Sequence, residues 1–500
     1  MQYVNTGEFL SDRLHVFEER VALRFRKREG LGEITYGHLR DLSRSVAAGL
    51  RRMGLSSGDR FTIIADSTAD WVITFIAGHL RGAMDVSFDP ALDRERIVEI
   101  MRRTHCRICF TDRVTLAEYL RSELPHLDVI LLKWKKSESK VSCIHTLRDV
   151  HDRGKRLRFR EAFGGNLGKR HPDDPASIMY KKKVAEGRLP RGIVLTNKNI
   201  LTNIASLARA IPSTELDNVL TTLPLWHSSG RCSLFFALWN GAALSLSDPS
   251  NIRKDIYGFG PSIVMAHTWV LEKFRRRFLQ GSYGDSPLRQ VLRRAYLFFA
   301  RMTAWAGAYY SGQLPEFRGR DPVSTALLNL YAPVSLIVSL PIKLAGDIMF
   351  GKALERTLGG NLRAVFTGGA PFAPGADFFF QAVGVSVLES YWMTEASHVI
   401  SSRVLEFTGQ RKRLLPGTVG PVLSGTELKL VNQRGEDVTH TPGKIGAIHI
   451  RGPQIMQGYF QDPETTERVL DKDGWLYTGD AGRLTLTGEL KIVERWGRLG

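Results

Sequence analysis

Cysteine is scarce: the chain has four in 500 residues, Cys106, Cys109, Cys143 and Cys232. A chain of this length with so few thiols does not depend on disulfides for its fold. One stretch, "HCRIC", has Cys-x-x-Cys form with His105 beside it, but Cys143 and His145 downstream lack the spacing of a second metal half-site. The same stretch continued, "CRICF", reads as a short buried strand. The N-terminus, "MQYVNTGEFLSDRLHVFEER", lacks an apolar core, so no secretory signal or transit peptide is visible and a cytoplasmic protein is expected. No fixed-period repeat or low-complexity tract occurs. Long uninterrupted apolar runs are also missing. The most apolar stretch, "LYAPVSLIVSLPIKLAG", has its mainly apolar part at Tyr331 to Ile342 and contains Pro333 and Pro341. About a dozen such residues are too few and too broken to span a bilayer, so a buried or interfacial segment is expected.

What remains is the composition of a globular chain, 43% apolar and 24% charged. At 500 residues it exceeds one ordinary core, and at least two domains are expected. Lysine and arginine number 69 against 51 acidic residues, a formal charge of +18. That balance favours anionic partners such as nucleotides, acyl phosphates or membrane surfaces. Nucleic acid is set aside, because net charge is unaccompanied by any groove-reading or base-stacking motif. The segment "LRRAYLFFARMTAWAGAYY" (Leu292 to Tyr310), preceded by "FRRRF" at Phe274 to Phe278, interleaves arginines with aromatics in a predicted helix. Two readings stand: peripheral contact with an anionic membrane through residues 274–346, or a surface helix with an ordinary buried face.

From residue 35 to about 400, short β-rich runs such as "FTIIAD", "AVFTGGA" and "VSVLES" alternate with helical stretches such as "YGHLRDLSRSVAAGLRRMGL". The alternation predicts an α/β fold of mostly parallel, helix-flanked sheets. After about residue 410 the texture becomes short strands punctuated by Gly and Pro, which predicts a small antiparallel β-barrel. The boundaries drawn are 1–400 for two sheet subdomains, 401–495 for the barrel and 496–500 for a hinge remnant.

A loop between Tyr180 and Pro190 sits where a phosphate loop often lies, after an apolar approach and before a helix capped by Thr196 or Asn197. Converging backbone N–H groups on an anion requires glycines. This loop has one, Gly187, alongside Lys181, Lys182 and Lys183.

The motifs "LPLWHSSG" (Leu223 to Gly230), "TGGAP" (Thr367 to Pro371), "ESYWMTEAS" (Glu389 to Ser397), "GPQIMQGYF" (Gly452 to Phe460), "GWLYTGD" (Gly474 to Asp480) and "GELKIVERW" (Gly488 to Trp496) follow in order. Together they resemble the adenylate-forming (AMP-binding) synthetases, and most nearly the bacterial long-chain fatty acid–CoA ligases. The resemblance covers essentially the whole chain. It implies an ATP-dependent, AMP-forming ligase: a carboxylate, a fatty acid or another, attacks the α-phosphorus of ATP, and the thiol of coenzyme A then displaces AMP. An ionised carboxylate needs no general base, so such catalysis rests on positioning and charge stabilisation.

Carried over by resemblance, Asp480 accepts the ribose hydroxyls, while Gly368, Gly369, Ala370 and Pro371 form the strand end against which adenine lies. Tyr391 walls the adenine pocket. Thr394 reaches phosphate, Glu395 holds Mg2+, Arg495 contacts ribose or phosphate, and His227 stands beside the reacting carboxylate.

Against the family pattern the chain departs in three ways. The Tyr180 loop lacks the hydroxyls and most of the glycines of Y-T-S-G-T-T-G-x-P-K-G, and Arg191 replaces its lysine. An α+β C-terminal lid expected beyond the hinge is absent from the sequence, which leaves open a lid on a separate chain. Trp392 stands where long-chain relatives carry glycine, as in the short-chain acetyl-CoA synthetases, where a tryptophan closes the acyl pocket. The expectation is therefore a fatty acid–CoA ligase by descent, with a catalytically impaired binder of nucleotide or acyl ligand, a pseudoenzyme, as its alternative.

Overall fold

A computed structural model describes residues 3–27, 29–135, 144–156, 170–181, 189–280, 286–319, 321–405 and 414–497. Two eight-stranded sheets dominate it. The first runs in the spatial order His398–Ser402, Ser386–Met393, Ala364–Gly368, Ile263–Met265, Asn218–Thr221, Ala243–Leu246, Val21–Arg26, Leu31–Thr35. Its inner pairs are parallel and its two outermost pairs antiparallel. The second is parallel from Pro175–Tyr180 through Met84–Ser87, Arg60–Ile64, Ile108–Thr111 and Asp128–Leu131 to Ile144–Thr146. Apolar residues buried on both faces of these short strands, such as Phe61, Phe110 and Phe366, require helices on both sides. This is the α/β fold that the alternating sequence predicts.

The antiparallel element expected near the C-terminus is a four-stranded sheet ordered Glu427–Val431, Gly446–Arg451, Leu476–Leu484, Leu490–Arg495. Tyr459, in the "GYF" motif between the second and third of these strands, pairs instead with Ile193 at the edge of the second large sheet. That exchange of a strand ties the small sheet to the Tyr180 region.

Cys109 lies in the buried strand Ile108–Thr111, and burial raises the Cys106 thiol to about 12. Among the described residues no cluster of metal-ligating groups forms, and the strand reading of "CRICF" holds. Cys143 falls outside the described residues. Thr196 caps the helix Asn197–Ala210 through a reciprocal capping box with Asn199, as its position after the strand Gly192–Thr196 predicts.

Residues 287–357 form a helical hairpin, Pro287–Tyr310 followed by Pro322–Thr357. The second helix continues through Pro333 and Pro341. The expectation of a short, broken apolar segment is thus corrected: each proline removes one backbone hydrogen bond, and the helix survives both. Small residues allow close packing on the first helix. A Cβ at Gly346 would lie 2.0 Å from the Tyr296 ring, and Thr303 Oγ1 and Ser339 Oγ are 2.7 Å apart.

Candidate active site

A cavity of about 670 Å³ opens where the carboxyl ends of the first sheet's parallel strands meet the small antiparallel sheet. Strand ends at such a junction are the usual place for a ligand in α/β proteins. Its walls carry every site residue the sequence predicts except Gly368, one residue behind the wall: His227, Gly369, Ala370, Pro371, Tyr391, Trp392, Thr394, Glu395, Asp480 and Arg495.

Gly368 ends the strand Ala364–Gly368, and a Cβ there would fall 2.4 Å from the Ser390 carbonyl. Gly369 follows with φ +81°, a left-handed conformation that favours glycine. The turn so made exposes the backbone of Gly369 to Pro371 along one wall. Across from it, the Tyr391 hydroxyl donates to Asp480 Oδ2 at 2.6 Å, and Arg495 Nε lies 3.9 Å from Asp480 Oδ1. Burial foremost, with the Asp480 charge, pushes the Tyr391 phenol well above its ordinary range, so it remains a donor. Asp480 keeps oxygen acceptor capacity toward the cavity beyond the one bond from Tyr391.

Beneath the Gly369–Pro371 turn lies a buried charge cluster that motif reading misses. Arg403, fully buried, pairs with Glu389 at 2.6 Å and Asp377 at 2.7 Å. Glu389 Oε1 also accepts from the Phe372 backbone N–H at 3.0 Å, which fixes the loop next to the Gly369–Pro371 turn. Burial raises the Glu389 carboxyl to about 7 even against the opposing Arg403 charge.

At the other end, Ser228 Oγ and Thr394 Oγ1 are 3.2 Å apart, joining the "WHSSG" and "MTEAS" motifs. His227 caps the helix Ser228–Asn240, its Nδ1 accepting from the Ser229 N–H at 3.2 Å, which leaves Nε2 to carry the ring proton. His398, another residue the motif reading did not single out, is buried with Nδ1 3.4 Å from Ser228 Oγ. Burial drives its pKa well below the ordinary histidine value, and it is neutral. Ser397 (φ +59°) and His398 (φ +142°) form a strained turn held by Ser397 Oγ donating to the Gln454 carbonyl.

Trp392 lies across this region. Its indole sits 3.1 Å from the Cβ position of Gly368 and 2.7 Å from that of Gly369, and it stacks on His398 at 4.5 Å between centroids. Phe366 and His267 complete its surroundings at 5.6 and 6.3 Å.

Glu395 has no exposed surface. Its Oε1 accepts from the Tyr459 hydroxyl at 2.8 Å and also pairs with the ammonium of Lys181, the first residue of the lysine loop. Its Oε2 is buried and has no hydrogen-bond partner among the described residues. Lys181 also lines the cavity, so the cavity side of Glu395 already carries a cation. Lys182, Lys183 and Gly187 lie outside the described residues. Arg191 pairs with Asp462 at 3.1 Å and stands over the Tyr459 ring. It is engaged with the framework of the Glu395 site.

A glycine-turned strand end, an acceptor carboxylate held by a tyrosine, and a hydroxyl-bearing turn surround one cavity of this α/β fold. The AMP-binding enzyme profile matches residues 10–460, and the chain belongs to that family. It is 26% identical over 470 residues to the Arabidopsis thaliana long-chain-fatty-acid–[acyl-carrier-protein] ligase AEE15, covering 90% of this chain and 63% of that protein. It is 25% identical over 479 residues to long-chain-fatty-acid–CoA ligase 1 of Schizosaccharomyces pombe, covering 92% and 64%. The chain thus spans less than two thirds of the length of these relatives. The crystal structure of a long-chain-fatty-acid-CoA ligase (FadD1) from Archaeoglobus fulgidus shares its fold, with TM-score 0.70, 18% identity, and coverage of 99% of this chain and 85% of that one.

Proposed function

We propose that the chain is the nucleotide-binding core of an AMP-forming carboxylate ligase of the fatty acid–CoA ligase type. The observation that carries the reading is the convergence of Asp480, Tyr391, Arg495 and the Gly369–Pro371 turn on the same cavity as His227, Thr394 and Glu395. In this reading adenine lies between the turn backbone and Tyr391, and the ribose hydroxyls donate to Asp480. The Thr394 hydroxyl and the Lys181 ammonium face the phosphates. A carboxylate oxygen, oriented by His227 Nε2–H, attacks the α-phosphorus; the bond to the bridging oxygen breaks and pyrophosphate leaves with the electron pair. The acyl-adenylate then loses AMP to a thiol, coenzyme A as in the fission-yeast relative or an acyl-carrier protein as in the plant one.

The family's magnesium does not fit at Glu395 as the residues stand. Oε1 already pairs with the Lys181 ammonium, which lines the cavity, and a divalent ion entering from there would have to displace that ammonium or sit against its like charge. Lys181 supplies a fixed positive charge there in its place.

Trp392 narrows the space beside His227 and favours a short carboxylate over a long one. A second reading, favoured by Lys181 on Glu395, is a protein that binds nucleotide or acyl-adenylate without turning it over. The test is pyrophosphate release with ATP and carboxylates from acetate to palmitate, with and without coenzyme A, and with added lid-like protein. Release dependent on Asp480 and on chain length supports the ligase. Silence throughout with AMP binding retained supports the binder.

A further inference from the structure

The second hairpin helix is built inside out. Its residues Ala332, Ser335, Ser339 and Gly346 are buried against the rest of the protein, while Leu327, Leu330, Val334, Ile337, Leu344 and Ile348 face solvent. Ile337 is 74% and Ile348 86% exposed, whereas Ser339 is wholly buried. A water-soluble surface helix has the opposite arrangement. At about 100° per residue the exposed positions cover an arc of about 200°, wider than the narrow seam of a coiled coil. From Leu330 to Met349 no exposed position carries a charged side chain. Over Pro322–Gly351 the helix is long and apolar enough to cross a membrane, and only 17% of its most apolar stretch is buried.

It is nonetheless pinned along its length. In the loop that precedes it the Glu316 carbonyl accepts from the Leu486 N–H at 2.8 Å, and Arg483 covers the Phe317 ring at 4.1 Å. Toward its C-terminal end, Phe350 is buried 5.6 Å from Tyr296, whose hydroxyl donates to Asp347 at 2.7 Å. A helix held by its inner face cannot thread a bilayer alone, but it can lie in the plane of one.

We propose that this helix seats the protein on an anionic lipid bilayer, its aliphatic arc lying among the acyl chains along about 33 Å of the helix. The charge supports lipid over a second copy of the chain. Arg289, Arg294 and Arg301 are exposed on the companion helix, and the formal charge of +18 attracts an anionic surface while opposing self-association.

The experiment is flotation of the full chain with vesicles of phosphatidylcholine and of phosphatidylcholine with phosphatidylglycerol. The wild type floats with the anionic vesicles. The double variant Leu330→Glu/Ile337→Glu loses at least about tenfold in partition, with its circular dichroism and melting temperature unchanged because both positions are exposed. Arg294→Glu/Arg301→Glu loses the preference for phosphatidylglycerol. The proposal is overturned if the wild type stays with the soluble fraction, if the glutamate variant floats equally well, or if sedimentation shows a dimer that the glutamates dissociate. AMP affinity, measured in parallel, reports on the nucleotide reading separately.

Discussion

On the proposed reading, replacing Trp392 with glycine opens the cavity beside His227 to a longer acyl chain. The indole rests against the Cβ positions of Gly368 and Gly369 and stacks on His398, so its removal leaves a slot walled by Phe366, His267 and His398. Each methylene that a longer acyl chain buries in that slot contributes about 0.8 kcal/mol, about fourfold in affinity. Three methylenes come to about 2.4 kcal/mol, about 60-fold, and the preferred carboxylate lengthens accordingly. The loss of a large aromatic costs at most about 3–5 kcal/mol of stability, and less where the side chain is only half buried. Calorimetry of acyl-adenylate analogues from acetyl to octanoyl against wild type and Trp392→Gly measures the effect, with AMP as the reference ligand. Unchanged chain-length preference, with AMP affinity intact, would refute the claim that Trp392 sets the limit.

Lys181→Thr removes the ammonium from Glu395 and restores an oxygen ligand beside it; AMP or ATP binding by that variant becomes stimulated by magnesium, while the wild type is indifferent, and equal metal dependence of the two contradicts the assignment. Arg403→Leu leaves Glu389 and Asp377 buried without their cation, at a cost of about 3–5 kcal/mol read from urea unfolding; a cost below about 1 kcal/mol would mean the cluster is not a structural support. Glu389, raised to about 7, binds its proton more tightly folded than unfolded, so its contribution is fully present below pH 4.5 and is lost as pH rises toward 7. Glu389→Gln removes that part of the pH dependence, and parallel stability profiles for wild type and variant over this window would count against it.

Much of the site was legible because its residues lie on motifs at a strand end or within strands. "TGGAP" closes the strand Ala364–Gly368, "YTGD" falls within Leu476–Leu484, and "ESYW" within Ser386–Met393, so local pattern placed each residue where topology brings them together. Three features were not legible, each for its own reason. The Arg403–Glu389–Asp377 cluster joins residues from separate elements, and a buried arginine looks in sequence like any surface one. In sequence Lys181 is only one of three lysines in a loop; its pairing with Glu395 depends on how the second sheet meets the 3-10 turn Thr394–Ala396. The hairpin helix defeated reading by length, because the prolines suggested breaks. Its periodicity, moreover, gives two faces but cannot say which one the protein covers.

The central claim is that this cavity holds an adenine nucleotide with its ribose on Asp480. Isothermal titration of AMP into the wild type and into Asp480→Ala tests it most directly, with Asp480→Asn as the variant that still accepts the Tyr391 hydroxyl. Hydrogen bonds to a charged acceptor contribute about 1.5–3 kcal/mol each, so the alanine variant binds AMP at least about tenfold more weakly while adenine contributes as before. Saturable AMP binding that weakens in the order wild type, Asn, Ala is the result predicted. No binding by the wild type, or equal binding by all three, would contradict the account.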